Sequence, residues 1–144
     1  MKKILLLFIM LSCLQVTNVL AQVPNNNLRK TKVELLRKFP NLRFLESRNG
    51  LEEYESEGIT FTFKYGKVVA ECMGVDEGRR FGYDWFKSMM SSFLKTDYTR
   101  VTDLTNDSMM LSRTFYYRDF WITIAYWKDD GYTTVTYQNS DYFK

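Results

Sequence analysis

The sequence predicts an α+β fold, with an antiparallel sheet of about eight strands and two helices packed on one of its faces. Two stretches show the apolar periodicity of a helix, and each comes before runs that alternate apolar and polar residues. Short turn signals separate these runs, among them Asn49-Gly50, Tyr65-Gly66 and Asp130-Gly131. Because two-residue links join neighbouring antiparallel strands, the sheet is expected to be antiparallel.

Residues 1–21 are interpreted as a cleavable signal peptide. A positive start, an apolar run over residues 4–11 and a small-residue cleavage site ending at Ala21 follow one another. The apolar run is shorter than the roughly 20 residues of a membrane-spanning helix. We therefore expect an exported bacterial protein, periplasmic or secreted, with no transmembrane segment. A lipoprotein anchored through Cys13 is the alternative, although bulky Leu11 stands where a small residue is usual.

The remaining chain is predicted to be a flexible lead-in followed by one domain. Residues 22–30 are polar and show no apolar period, whereas residues 31–144 have the length of one domain with one core. Of the 20 Lys and Arg residues, two lie in the leader and the others nearly balance the 17 Asp and Glu residues. This near-neutral charge predicts no nucleic-acid partner.

The first half of the domain is predicted to hold one helix and four strands. Thr31 and Glu34 fit a capping box at the start of a helix over residues 32–39, which Pro40 ends. Gly58 is interpreted as a bulge that joins two segments into one long strand. The predicted strands span residues 42–48, 51–57, 59–64 and 67–73.

The turn at Tyr65-Gly66 predicts a register for its hairpin. In this register Phe63 lies opposite Val68, Phe61 opposite Ala70, and Ile59 opposite Cys72. These side chains are expected to face the core. The Cys72 thiol should therefore be buried, protonated and unreactive.

The second half repeats the order of the first. After Gly82, apolar residues recur as pairs four apart, which predicts a helix with one broad buried stripe. Four strands are predicted over residues 99–104, 109–117, 120–127 and 132–138. The two helices start about 52 positions apart. Residues 31–73 and 83–139 are therefore interpreted as pseudo-repeats of one α-β-β-β-β unit.

This layout resembles exported proteins of the β-lactamase-inhibitory-protein-like and PepSY-like groups, which repeat a helix followed by β-hairpins to build one sheet. The resemblance covers most of residues 31–139 and rests on the order of the elements, without shared signature residues. For the inhibitor group, it implies a sheet surface that binds another protein.

Several chemistries are excluded by the residue types that the chain lacks. There is no histidine, which removes Ser-His-Asp and Cys-His arrangements and the usual zinc and copper ligands. We expect no catalytic residue, cofactor or metal ion. Five glutamates cluster near the first hairpin, and they are interpreted as a charged edge that discourages aggregation. They are Glu46, Glu52, Glu53, Glu55 and Glu57.

Two other interpretations of charged residues stay open. Glu53 and Glu55 could serve as the acid and base of a glycosidase-like hydrolase, or the cluster could hold calcium. Seven basic residues within residues 22–50 could face an anionic lipid or polysaccharide, although a solvated helix face is favoured. These basic residues are Arg29, Lys30, Lys32, Arg37, Lys38, Arg43 and Arg48.

The last two hairpins place aromatic residues on the face opposite the core. Their turns at Arg118-Asp119 and Asp130-Gly131 predict a core face of Phe115, Tyr117, Phe120, Ile122, Ile124, Tyr126, Val135 and Tyr137. The reverse face then carries Met110, Thr114, Tyr116, Trp121, Thr123, Ala125, Trp127, Thr134 and Thr136. Tyr116 is expected opposite Trp121, and Met110 opposite Trp127.

The aromatic residues of this reverse face have two interpretations. They offer rigid apolar area on which a protein or sugar could stack. Alternatively, they stabilise the sheet as cross-strand pairs, or the tail or a second copy covers them. The hypothesis is a non-enzymatic exported module that binds an envelope or extracellular protein. Its candidate contact residues are Tyr116, Trp121, Thr123, Trp127 and Thr134. The alternatives are a carboxylate-dependent hydrolase and a self-associating structural envelope protein.

Overall fold

A computed structural model describes residues 27–76 and 79–143. The predicted signal peptide, Cys13 and the first part of the lead-in lie outside these residues. No helix among the described residues is long and apolar enough to cross a membrane.

The first half forms one short helix and a four-stranded meander. Helix α1 spans Lys32–Lys38. The strands are β1 (Arg43–Arg48), β2 (Leu51–Ser56), β3 (Ile59–Lys64) and β4 (Lys67–Met73). The predicted capping box is confirmed, since the amide of Glu34 donates to Thr31 Oγ1 and the amide of Thr31 donates to Glu34 Oε2.

Each link within this meander is a two-residue turn with both residues at positive φ. The links are Asn49-Gly50, Glu57-Gly58 and Tyr65-Gly66. Positive φ at both central positions is the geometry of a type I′ turn, which matches the twist of the flanking strands. The interpretation of Gly58 as a bulge within one long strand is therefore wrong, because Ser56 pairs with Ile59 across a tight turn.

The second half contains the longer helix and the longer strands. It holds β5 (Val75–Asp76), β6 (Arg79–Arg80), α2 (Tyr83–Phe93), β7 (Arg100–Val101), β8 (Thr105–Asn106), β9 (Met110–Tyr116), β10 (Phe120–Trp127), β11 (Tyr132–Asn139) and a 3-10 helix (Ser140–Phe143). Of the strand predicted over 99–104, only Arg100–Val101 forms a strand, β7. The short strand β8 follows beyond the predicted range, and both strands pair with β9.

Nine of these strands form one antiparallel sheet in the order β1-β2-β3-β4-β11-β10-β9-β7, with β8 also paired to β9. This architecture confirms the predicted α+β fold. The last strands of the two halves, β4 and β11, are neighbours at the middle of the sheet. A duplicated unit would be expected to give such an order, and the duplication itself stays a prediction.

Both helices pack on the same face of the sheet, as predicted. Phe61, Glu71, Tyr137, Ile122 and Phe115 are successive partners in one row across β3, β4, β11, β10 and β9. Phe39, at the end of α1, contacts Phe61 with ring centroids 5.0 Å apart. Phe93 of α2 contacts Phe115, with a centroid distance of 5.7 Å. One apolar core therefore lies between this face and the helices.

A β-bulge at Val69 corrects the predicted register of β3 and β4. Phe63 pairs with Val68 as expected, but the next pair is Thr62 with Ala70, so Val69 is the extra residue. Beyond the bulge every β4 side chain faces the opposite side from the prediction. Glu71 therefore points into the core beside Phe61, whereas Cys72 lies on the reverse face and is half-buried.

The predicted flexible lead-in needs correction at residues 27–30, which are packed against the sheet. Asn27 is fully buried, and its Nδ2 donates to Glu71 Oε2 at 2.9 Å. The backbone of Arg29 and Lys30 exchanges hydrogen bonds with Val68. The ordered domain therefore begins before residue 31, because a buried carboxylate and an exposed strand edge both take partners from this segment.

Candidate functional site

The candidate site lies on the face of the sheet opposite the helices, which we call the back face. The pairs Tyr116–Trp121 and Met110–Trp127 confirm the predicted register of β9 and β10. Trp127 pairs with Tyr132, so Lys128–Gly131 form a four-residue link rather than the two-residue turn expected at Asp130-Gly131. The partners of β10 and β11 are therefore shifted by two positions from the predicted register. Because side chains alternate between the two faces, a shift by an even number leaves each side chain on its predicted face.

An aromatic and polar row crosses the back face at Trp121. Gln138, Trp121 and Tyr116 are cross-strand neighbours, and the rings of Trp121 and Tyr116 lie 6.2 Å apart. The indole N–H of Trp121 donates to Gln138 Oε1 at 2.9 Å. Arg100 covers the outer ring, with its guanidinium carbon 4.1 Å from the Tyr116 centroid. The row is thus a pre-ordered platform that ends in a positive charge.

A threonine row runs parallel to the aromatic one. Thr60, Cys72, Thr136, Thr123 and Thr114 are successive cross-strand partners. The hydroxyls of Thr114 and Thr123 lie 2.9 Å apart, and Thr136 donates to Cys72 Sγ at 3.3 Å. These bonds hold the hydroxyls in fixed positions between the larger side chains. The candidate residue Thr123 therefore lies within this row, between Thr136 and Thr114.

Trp127 forms the wall of a cavity at one end of the back face. The cavity has a volume of about 220 Å³ and is lined by Met109, Trp127, Asp129, Asp130 and Tyr132. The indole N–H of Trp127 donates to Thr134 Oγ1 at 3.2 Å, which joins these two candidate residues. Apolar walls beside two carboxylates suit a ligand group that is positively charged and carries an alkyl chain.

The 3-10 helix after β11 lies near the end of the back face that β1 and β2 form. Tyr142 lines a cavity of about 310 Å³ together with Glu46, Arg48, Leu51 and Glu53. Glu46 and Glu53 are direct cross-strand partners there. The aromatic residues of β9 and β10 are not among the residues lining this cavity. Tyr142 therefore lines a different cavity from Trp127.

The glutamates of the predicted acidic cluster do not form one group in the described part of the chain, and only Glu46 and Glu53 line a cavity together. Glu55 is held by Arg43 at 2.7 Å, and Glu52 accepts a hydrogen bond from the Tyr54 hydroxyl at 3.1 Å. Among the described residues, no group of three or more acidic or cysteine side chains is placed to hold a metal ion. Glu55 is one of the two carboxylates considered for hydrolysis, and Arg43 holds it in an ion pair.

The Cys72 thiol has a polar neighbour but little tendency to ionise. Burial raises its pKa, the carboxylate of Glu53 raises it further, and the hydrogen bond from Thr136 lowers it in part. Because the thiolate is the nucleophilic form, this thiol is a poor nucleophile. The predicted place of Cys72 in the core is wrong, because the thiol lies half-buried on the back face, and its lack of reactivity stays a prediction.

Several residues of this face were not predicted from the sequence. Arg100 belongs to a two-residue strand, and its contact with Tyr116 depends on how β7 pairs with β9. Asp129 and Asp130 follow Trp127 by two and three positions along the chain, which is the available signal, but only Asp130 was interpreted, as part of a turn. Local turn preference hides their place in the cavity wall.

The fold and the face together define an α+β protein with one helix-covered and one aromatic sheet surface. Neither a family model, nor a curated protein, nor a solved structure matches this chain. Its function must therefore be argued from its own residues.

Proposed function

We propose that the protein is a non-enzymatic exported module that binds another envelope or extracellular protein on its back face. The observation that carries the proposal is the aromatic row on the sheet surface opposite both helices. Its contact residues are Tyr116, Trp121, Thr123, Trp127 and Thr134.

The polar contacts within the face support binding of a protein. The indole N–H groups of Trp121 and Trp127 are bonded to Gln138 and Thr134, so the ring surface that stays accessible is largely apolar carbon. Burying such rigid rings costs little side-chain entropy, which is why Trp and Tyr dominate binding hot spots. A partner that covers this surface can therefore exclude water from it with few changes in the side-chain conformations.

The cavity beside Trp127 supplies a specific anchor for the partner. Asp129 and Asp130 offer negative charge next to the rings of Trp127 and Tyr132. A lysine or arginine side chain of the partner could place its alkyl stem on the rings and its charge on the carboxylates. We therefore propose a partner whose contact segment presents a basic residue among apolar ones.

The first test compares the parent protein with the Trp121→Ser, Trp127→Ser double variant. The immobilised parent should capture a defined protein from envelope extract, and the folded double variant should lose it at least about tenfold, as expected when hot-spot residues are removed. Tyr65→Ser is the matched control, because Tyr65 is an 85% exposed aromatic residue in the β3–β4 turn. Circular dichroism checks that all three proteins fold.

The captured protein is then purified and titrated against the parent and an Asp129→Asn, Asp130→Asn variant. The carboxylate variant should bind more weakly, and the difference should shrink at high salt. Retention of the partner by the folded tryptophan variant would refute the proposed face. Self-association of the parent in sedimentation, with no other protein captured from the extract, would instead favour a structural, self-associating protein.

Carboxylate-dependent hydrolysis is the second candidate, and the cavity beside Tyr142 favours it. Glu46 and Glu53 face each other in that cavity, and two adjacent carboxylates can divide acid and base roles. Glycan hydrolysis by the parent that disappears in Glu53→Gln would support this candidate. Equal release of sugar by both proteins, or by neither, would contradict it.

A further inference from the structure

One wall of the cavity beside Trp127 is held in place by its own set of hydrogen bonds. Asp107 Oδ1 accepts from the amides of Met109 and Met110, both at 2.8 Å. The amide of Lys128 donates to the Met109 carbonyl at 2.9 Å. The backbone of Met109 is thus fixed on both sides, although its side chain lines the cavity and is 59% exposed. A ligand that covers this side chain therefore finds its wall already in place.

The aromatic rings of the cavity lie next to each other. Trp127 and Tyr132 are direct cross-strand partners, so their side chains share the back face. The indole N–H of Trp127 already donates to Thr134 Oγ1. The Trp127 ring therefore needs no polar partner from a ligand, and its π face can attract a cation.

The positive charge nearest to the cavity along the chain is directed away from it. Lys128 Nζ donates to Asn106 Oδ1 at 2.8 Å and to the Asp107 carbonyl oxygen, so its charge lies on the β8 side of the link. The next two residues, Asp129 and Asp130, line the cavity. Two carboxylates thus stand beside aromatic and thioether groups, which favours a cationic ligand over an anionic one.

We propose that this cavity is a receptor for a small organic ammonium ion, whether or not a protein carries it. Trp127, Tyr132 and Met109 contact the carbon groups around the nitrogen, and Asp129 and Asp130 supply the counter-charge. The volume of about 220 Å³ lies below the roughly 300–1,000 Å³ of pockets for drug-sized ligands, which suits a smaller ion. The proposal rests on the back face of the proposed function and adds the class of ligand that its cavity takes.

Titration of choline into the ¹⁵N-labelled protein tests the receptor. The chain has three tryptophans, and the indole N–H signal of Trp127, assigned with Trp127→Phe, should move and saturate. The Trp121 signal, from the same face, should stay in place. Dimethylbutanol, in which a carbon atom replaces the nitrogen of choline, should not saturate the Trp127 signal, because it lacks the charge.

Carboxylate variants test the counter-charge. Asp129→Asn, Asp130→Asn should weaken choline binding by about tenfold, since both the charge and part of the cation attraction are lost. Asp119→Asn is the matched control, because Asp119 is an exposed aspartate beside Phe120 in the β9–β10 turn, and it should bind choline like the parent. Circular dichroism checks that each variant folds.

Lys128→Met tests the fixed wall by the direction of its effect. Removal of a nearby positive charge would by itself strengthen the binding of a cation. Loss of the bonds from Lys128 Nζ to Asn106 and Asp107 should instead weaken it, because the link and the Met109 segment are then held less firmly. Weaker choline binding would support the proposal, and tighter binding would show that the Lys128 charge acts on the cavity.

Butylammonium distinguishes the kind of ion. Saturation of the Trp127 signal by choline alone would assign the site to methylated ammonium ions, and saturation by butylammonium as well would extend it to primary amines such as a lysine side chain. A Trp127 signal that responds to neither ion, or equally to dimethylbutanol, would overturn the receptor. So would unchanged choline binding in the folded carboxylate variant.

Failure of the receptor and failure of the protein-binding function give different results. Saturation by choline in a protein that captures no partner from envelope extract would support the receptor and refute the protein-binding function. Capture of a partner that depends on Trp121 and Trp127, without any response to choline or butylammonium, would overturn the receptor and leave the protein-binding face in place.

Discussion

At the scale of single residues, Glu71 shows the largest difference between local pattern and final environment. Its Oε2 accepts from Asn27, while its Oε1 and the hydroxyl of its cross-strand partner Tyr137 have no hydrogen-bond partner among the described residues. Burial raises the pKa of Glu71, and hydrogen bonds from Asn27 and the charges of Lys38 and Lys30 lower it only in part. The pKa of Tyr137 is also raised, mainly by burial and then by the neighbouring carboxylate.

Glu71→Gln is expected to stabilise the protein at neutral pH. Because the pKa of Glu71 is raised in the folded state, its favourable contribution is complete below the ordinary value of 4.5 and is lost as pH rises through the raised value. Glutamine keeps the acceptor for Asn27 without a buried charge. The free energy of unfolding at pH 7 should rise by on the order of 1 kcal/mol.

Urea unfolding of parent and variant between pH 4 and pH 8 measures this effect. The two stabilities should converge toward pH 4 and separate as pH rises. Asp103→Asn is the control, because Asp103 is exposed and its variant should follow the parent. Parallel pH profiles for the parent and Glu71→Gln would show that Glu71 ionises as easily in the folded protein as in the unfolded chain.

At the scale of secondary structure, strands were predicted best where alternation and turn residues agree. β10 has the predicted bounds, and β9 and β11 differ from theirs by one residue at their ends. The predicted faces of these strands also hold, because alternation over seven or eight residues leaves one choice of buried face. β4 differs, since one extra residue at Val69 reverses its second half.

Gly74, which follows β4, is expected to resist substitution because it touches β11. A Cβ at this position would lie 2.6 Å from Thr134 Cγ2 and 2.9 Å from the Thr133 carbonyl oxygen. Gly74→Ala should therefore lower the free energy of unfolding by about 1–3 kcal/mol, as overpacking does. Chemical denaturation gives the value.

The double variant Gly74→Ala, Thr134→Ser separates the two close contacts. Serine removes Cγ2 but leaves the carbonyl contact, so the loss of stability should be partly recovered relative to Thr134→Ser alone. Full stability in Gly74→Ala by itself would show that β4 and β11 can move apart at this point without cost.

At the scale of the whole molecule, the β4–β11 pair makes two meanders into one sheet. Four residue pairs join them, from Val135–Met73 to Gln138–Ala70. The core row from Phe61 to Phe115 crosses this junction without a break. Neither meander can bury that row alone, so we expect them to unfold together.

Two spectroscopic signals test this cooperativity. All three tryptophans lie beyond residue 84, so their fluorescence reports on the second meander, whereas far-UV circular dichroism reports on both. The two signals should give one coincident transition in urea. A tryptophan transition separate from the circular dichroism transition would mean that the halves are independently stable.

The sequence by itself determined the elements whose signals are local. The capping box of Thr31 and Glu34 sets the start of α1, and the Asn49-Gly50 turn sets the register of β1 and β2 near the hairpin end. The apolar stripe of α2 and the alternation of β9 to β11 assign their buried faces. In each case the residues that decide the structure lie within a few positions of one another.

The tertiary structure alone decided the features that join distant segments. The bulge at Val69, the buried pair of Asn27 with Glu71, and the pairing of β4 with β11 each depend on contacts far apart in the chain. The cavity beside Trp127 belongs partly to the same class, because Met109 joins a wall that is otherwise formed by residues 127–132 of one hairpin. Sequence period cannot locate such features, since one inserted residue reverses a face and only packing against a neighbour decides where it is inserted.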